Sequence, residues 1–192
     1  AIMSADPKQF EHTVPLPELS YAEVIEMAYY GAQVIHPNTI KPLFEKKIPL
    51  YVKCFLDSQL PGTAITEKKP TALPPIVVKK EAQVMVEFIS TDFSFIGEHA
   101  VGRLFQIFEQ EETRPHLTQN GAISFLAVFD EQEEKLQHIA TQAAEWLQIM
   151  VQKNLTLITV RHATPKILED LKQGKRPLLL QQHGDTVQFL LP

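Results

Sequence analysis

Seven histidines (His12, His36, His99, His116, His138, His162 and His183) and one cysteine, Cys54, are the most chemically versatile side chains in this 192-residue sequence. No two histidines stand in His-x-x-x-His spacing and there is no Cys-x-x-Cys, so no zinc site and no other metal site is assigned. A lone cysteine forms no internal disulfide and fits a reducing compartment. No Gly-x-x-x-x-Gly-Lys loop cradles a phosphate, and no residue is assigned a catalytic role. Lys8 follows Asp6-Pro7. A lysine there is a solvated loop residue, a point charge without a bidentate fork. Asp6 fixes its own turn through the Asp-Pro geometry. His36 precedes a proline and packs or caps locally. Gly97 allows close backbone approach at the start of a helix, where N–H groups suit a carboxylate. Glu98, in the first turn of that helix, complements its dipole.

These residues need elements to hold them. Ser20 with Glu23 three residues on forms a capping box, Val24, Met27 and Ala28 supply an apolar stripe, and Gly31 suits a left-handed helix end. A second helix starts at Pro37 and runs to Lys47, with Pro42 within it. Residues 48–55 read as a strand. Residues 57–75, with Asp57, Ser58, Pro61, Gly62, Pro70, Pro74 and Pro75, break periodicity and form a connecting segment. Next come a strand over 83–89, a helix over 97–111 and a strand over 114–119. An Asn120-Gly121 hairpin turn, a strand over 122–129 and a long helix over 133–151 follow. The helix carries Leu136, Ile139, Ala140, Ala143, Leu147 and Met150 inward. A second pass gives a strand over 155–161, a helix from Thr164-Pro165 to Gln173 ended by Gly174, and strands over 178–182 and 187–191 around Gly184-Asp185. Trp146 and the set Leu104, Phe105, Phe108, Phe125 and Phe129 read as core. The run 130–134 reads as the charged start of a helix, and Lys172 to Arg176 as a solvated turn.

Hydrophobic residues make up 44% of the chain and its formal net charge is -5, which describes a globular protein without the basic patch of a nucleic-acid binder. No apolar run approaches the ~20 residues needed to span a bilayer, and the N-terminus lacks the pattern of a signal peptide.

Two segments carry a family resemblance. Ser20 to Pro37, SYAEVIEMAYYGAQVIHP, resembles a segment of aspartate kinase close to that family's nucleotide site, and Ile2 to Lys8, IMSADPK, resembles its nucleotide-loop pattern ending in Asp-Pro-Arg. Pro61-Gly62-Thr63-Ala64-Ile65 resembles the Gly-Thr-x-Ile that closes the catalytic domain of the amino-acid kinase fold. The stretch 88–129, with GEHAVGRLFQIFEQ and TQNGAISF, resembles a first ACT regulatory unit, and LITVRH, from Leu157 to His162, a strand of a second.

The resemblance implies an α+β chain. Residues 1–75 would be the end of an amino-acid-kinase domain, 76–131 a first ferredoxin-like ACT unit (βαββαβ) and 132–192 a second, with strands shared because one unit is usually nested in the other. It implies a cytoplasmic, homodimeric parent, paired through the ACT units, that uses ATP and Mg to phosphorylate the β-carboxylate of aspartate. Neither nucleic acid nor membrane is a partner. The chain opens inside the catalytic domain, so it is expected to be inactive alone, with no cofactor bound. Met3, Lys8, Gln33 and Val34 fall at nucleotide-contacting positions. Ser94, Gly97, Glu98, His99, Ala100 and Val101, with Arg114, His116, Gln119 and Asn120, fall where an amino-acid effector, lysine or threonine, would bind. Asn120 also reads as a turn residue. His116 stands where lysine-sensitive relatives commonly carry an acid, which leaves open a second reading as an assembly platform without an effector. A third is a related kinase acting on another carboxylate.

Overall fold

The computed structural model describes residues 1–57 and 59–192, with only the backbone described at Pro37. Ser58, named above in the connecting segment, lies outside the described residues. The elements run β1 (Ile2–Met3), β2 (Pro15–Leu16), β3 (Glu18–Ser20), α1 (Tyr21–Tyr29), α2 (Pro37–Glu45), β4 (Leu50–Val52) and β5 (Thr63–Thr66). There follow β6 (Ile76–Ser90), α3 (Glu98–Gln110), β7 (Leu117–Asn120), β8 (Ser124–Asp130), α4 (Glu133–Ala143), β9 (Leu147–Arg161), α5 (Pro165–Lys172), β10 (Leu179–His183) and β11 (Thr186–Leu191).

The chain divides into two compact units, one of residues 1–80 and 158–191, the other of residues 81–157 and Pro192. In the first unit β1 pairs with β2, and β5 lies between β3, parallel to it, and β4, antiparallel. Leu16, Leu19, Val24, Met27, Ile40 and Ile65 form its main core. The Gly-Thr-x-Ile segment ties this region together. Thr63 is fully buried; its hydroxyl accepts from Ile2 N–H at 2.7 Å and donates to the Leu16 carbonyl at 2.7 Å. A Cβ on Gly62 would stand 2.5 Å from the Val52 carbonyl oxygen, so only glycine fits that approach. The strand order β10-β11-β9-β6 completes this unit, and Val77, Ile158, Val160, Val187, Phe189 and Leu191 form a second core.

The second unit has the order β9-β6-β8-β7, with α3 between β6 and β7 and α4 between β8 and β9. Numbered along the chain from β6, this is 4-1-3-2 with a βαββαβ succession, the ferredoxin-like arrangement. Read the same way from β9, the order β10-β11-β9-β6 is 2-3-1-4, so β9, α5, β10 and β11 repeat the first four elements of that pattern and β6 takes the fourth strand's place. Phe88, Phe108, Phe125 and Phe129, all at or below 1% exposure, fill the second unit's core with tilted, stacked and edge-on ring contacts.

Several expectations are corrected. The helix expected over 133–151 stops at Ala143, and Leu147 begins a 15-residue strand in which Met150 is exposed. The 3–4 spacing of Ala143, Leu147 and Met150 imitates a helix stripe, but Ile149 and Val151 suit a strand and sheet pairing supplies the backbone bonds. Phe105 is 44% exposed: it lies at the edge of the α3 face, touching Phe108 and Phe125 from outside while Ile107 turns inward. Asn120 pairs with Phe125 as the last residue of β7, and the turn falls on residues 121–124, closed by Gly121 N–H to the Ser124 carbonyl at 2.7 Å. Neither Asn120 nor Gly121 has positive φ, so the primed turn favoured by Asn-Gly is not formed. Asp130 ends β8 rather than opening α4.

Candidate functional site

The nucleotide-side residues rest on two turns of the first unit. Asp6 accepts through its side chain from Lys8 N–H at 2.9 Å, and its carbonyl accepts from Gln9 and Phe10 at 2.9 and 3.0 Å. Asp6 thus builds its own turn, as its type and position led us to expect, and leaves the Lys8 side chain exposed. Met3, in β1, is half-buried. The second turn follows α1. Gly31, at φ +106°, donates to the Ala28 carbonyl at 3.1 Å and Ala32 to the Met27 carbonyl at 2.9 Å, which is a Schellman closure. It delivers Gln33, exposed, and Val34, which packs partly on the core that also contains Ile2. Strand and turn thus abut one core.

Ser20 caps α1 as expected, accepting from Glu23 N–H at 3.1 Å. The Glu23 carboxylate has a different role from the reciprocal cap. It is 8% exposed and receives Arg161 as a fork, Nε to Oε1 at 2.6 Å and Nη2 to Oε2 at 3.0 Å. Arg161 Nη1 donates to Glu26 Oε2 and Thr186 Oγ1, each at 3.2 Å. His162, at φ +53°, places Nδ1 2.9 Å from Asp185 Oδ2 and Nε2 3.2 Å from Glu23 Oε1, the latter a close approach without a hydrogen bond's geometry. Burial pushes the Glu23 carboxyl up; the bonds and charges of Arg161 and the nearby His162 more than offset this and hold it below its ordinary value. Burial, then the Glu26 charge, raises the Tyr30 phenol. Sequence reasoning gave Glu23 only a capping role; Arg161 stands 138 residues away, and no local pattern announces the pair.

The effector-side residues lie in the second unit. Gly97 is the N-cap of α3 and has no side chain to cap it, so the first-turn amides of Glu98, His99 and Ala100 lack a side-chain cap. Val101 N–H already bonds the Gly97 carbonyl at 3.1 Å. Just before the helix, Asp92 Oδ1 accepts from Ser94 Oγ at 2.5 Å, Ser94 N–H at 3.0 Å and Ser90 Oγ at 2.9 Å. The Ser94 side chain and amide, then Ser90, hold this carboxyl down at about 2. Sequence reasoning did not single out Asp92; an Asx turn two residues before Ser94 is the signal that would have found it. Phe93 at φ +63° and Phe95 flank Ser94, 81% and 83% exposed. His116 Nε2 lies 2.9 Å from Asp130 Oδ2, and Asp130 Oδ1 also accepts from Gln83. Arg114 lines a shallow groove of about 490 Å³ with Gly102, Phe105, Phe108 and Pro115. Gln119 and Asn120 are exposed at the end of β7, a sheet-edge strand. Among the described residues no group of three or more His, Cys, Asp or Glu side chains is placed to hold a metal ion, and no helix is long and apolar enough to cross a membrane.

Comparison with known proteins supplies the context. The amino acid kinase family profile matches residues 1–54. Aspartokinase 3, chloroplastic, of Arabidopsis thaliana is 29% identical over 201 residues, covering 98% of this chain and 35% of that protein. The chain thus spans about a third of that relative's length. Among solved structures, Clostridium acetobutylicum aspartate kinase matches with a TM-score of 0.84 at 18% identity, over 100% of this chain and 48% of that one. E. coli aspartokinase III in complex with lysine and aspartate matches at 0.79 and 19%, over 100% and 46%. In sequence and in fold, the chain is like the C-terminal part of aspartokinases: the end of an amino-acid-kinase domain followed by two ferredoxin-like ACT units.

Proposed function

We propose that this chain is the C-terminal regulatory region of an aspartate kinase and that it binds an amino-acid end product for feedback control. The parent would move the γ-phosphoryl group of ATP, with Mg, to the β-carboxylate of aspartate. Such a reaction depends on positioned phosphates and cationic stabilisation. From this chain, the exposed Lys8 ammonium would neutralise phosphate charge, and Met3, Gln33 and Val34 would line the nucleotide. Alone, the chain lacks the rest of that site and would be inactive. The parent would work in the cytoplasm, or in a plastid as the Arabidopsis relative's name states for that protein.

One observation carries the sensing role. The α3 start offers the amides of Glu98, His99 and Ala100 without a side-chain cap, six residues after the ionised carboxylate of Asp92, which opens the preceding turn. An α-amino acid presents the complementary pair, a carboxylate for the helix start and an ammonium for an acid. Ser94, Gly97 and Val101 would frame it, with Arg114, His116, Gln119 and Asn120 at its far side. The E. coli relative was solved with lysine, so lysine is the first ligand to test and threonine the second.

A second reading is favoured by His116. It replaces the expected acid and is engaged with Asp130, which suits an ACT-type dimerisation platform that has lost its effector. Calorimetric titration of the chain with lysine, threonine and methionine separates the two. Saturable heat with one of them supports the sensor; no heat from a folded dimer supports the platform.

A further inference from the structure

The corner where β9 passes into α5 corresponds, in the repeated strand order, to the corner where β6 passes into α3. The two are finished differently. The α3 start has no side-chain cap, whereas Thr164 caps α5 and accepts from Ile167 N–H at 3.5 Å. Arg161, at the α5 corner, holds a carboxylate that the chain itself supplies, Glu23 of α1, with His162 Nε2 3.2 Å from the same carboxylate. The corner is also pinned on its other side: Asp185 takes His162 Nδ1 through its side chain and Ala163 N–H through its carbonyl, at 2.9 and 2.8 Å.

From Arg161 the contacts continue along α1. Glu23 stands in its first turn and Glu26 one turn on, and Arg161 bonds both. Tyr30, the C-cap residue, donates its backbone N–H to the Glu26 carbonyl at 3.1 Å and directly precedes Gly31, where the Schellman closure begins. One guanidinium thus holds two successive turns of a nine-residue helix, and the helix backbone carries that hold from Glu26 to its end. We infer that Arg161 is a positioning residue for the turn at Gly31–Val34, acting through Glu23 and Glu26 of α1. The corner of the second ACT-like unit therefore holds the turn in place of holding an amino acid. The functional consequence rests on reading that turn as nucleotide-contacting; the mechanical link does not.

Native-state amide hydrogen exchange on the 192-residue chain tests the link. In Arg161→Met the Ala32 amide, which bonds the Met27 carbonyl, should exchange about tenfold faster or more, while Val86 and Val128 of the second unit keep their rates. Arg161→Lys retains the charge but not the fork and should fall between. Glu26→Ala removes one carboxylate from a half-exposed helix position and puts a strong helix former there, so it folds whatever the others do. It should speed Ala32 by about threefold or more with little change at Leu19 or Ile65. An unchanged Ala32 rate in Glu26→Ala overturns the inference, and so does a uniform rise across the first unit in Arg161→Met. Absence of aspartate kinase activity in the full-length parent would remove the nucleotide reading and leave the exchange result standing.

Discussion

Replacing Thr63 by valine isolates what its hydroxyl contributes. Valine keeps the shape and β-branching and removes only the oxygen. Two bonds of 2.7 Å disappear together, leaving the Ile2 N–H and the Leu16 carbonyl without that partner in a region where Thr63 and Leu16 are fully buried and Ile2 is 6% exposed. A net hydrogen bond is worth about 1 kcal/mol, and a stranded buried donor or acceptor adds a desolvation penalty of about 1–3 kcal/mol. Thr63→Val should therefore destabilise the first unit by about 2–4 kcal/mol. Thr63→Ser is the control: it keeps both bonds and loses one buried methyl, about 1 kcal/mol with its small cavity. The assay is urea unfolding followed by far-UV circular dichroism, with exchange of the Ile2 amide as a local reporter. If valine proves as stable as serine, or more stable, the hydroxyl bridge does not hold β1, β2 and β5 together and the argument for the Gly-Thr-x-Ile segment fails.

Other outcomes follow from the same geometry. Gly31→Ala places a Cβ at φ +106°, 3.2 Å from Lys80 Cδ, and should lower the urea midpoint by the equivalent of about 1–2 kcal/mol, with Gly31→Asn milder. Ala82→Gly relieves a non-glycine residue at φ +51° inside β6 and should raise the melting temperature of the second unit slightly. The Glu23 carboxyl is depressed in the fold, so its contribution is complete above its unfolded value near 4.5 and fades as pH falls through the lower folded value; an acid titration of the first unit should lose stability in that window, and Glu23→Gln should flatten it. Asp92 should titrate near pH 2 by carboxyl carbon NMR, and Ser94→Ala should move that midpoint upward.

The sequence was legible where structure is local. Ser20 as a cap, Gly31 as a helix end, Thr164-Pro165 as a helix start and Gly184 as a turn all depend on residues within one turn of each other, and each stands where its chemistry places it. Segment 147–151 was misread because its apolar spacing satisfies a helix while its partner strand lies far off in sequence. The same limit hid β5, whose four residues sit among prolines and glycines yet form the centre of a three-stranded sheet. At the candidate sites, Lys8 and Gly97 could be picked out from neighbouring motifs. Glu23 could not, since its partner is Arg161, and Asp92 was passed over although its turn is local. His116 was legible as a departure, but its engagement with Asp130 depends on the antiparallel register of β7 and β8.

The strands β6 and β9 each have 15 residues, and the division into compact units falls inside both, between Lys80 and Glu81 and between Leu157 and Ile158. This has a practical consequence for taking the protein apart. Both boundaries fall inside a strand and not in a loop, so limited digestion should trim loops such as the one around Phe55, 99% exposed, and leave these junctions intact. Nor can a gene be truncated at 80 or 158 without starting or ending a polypeptide in mid-strand. Binding studies are therefore best made on the chain with both strands, and the unit that contains their outer ends, left whole.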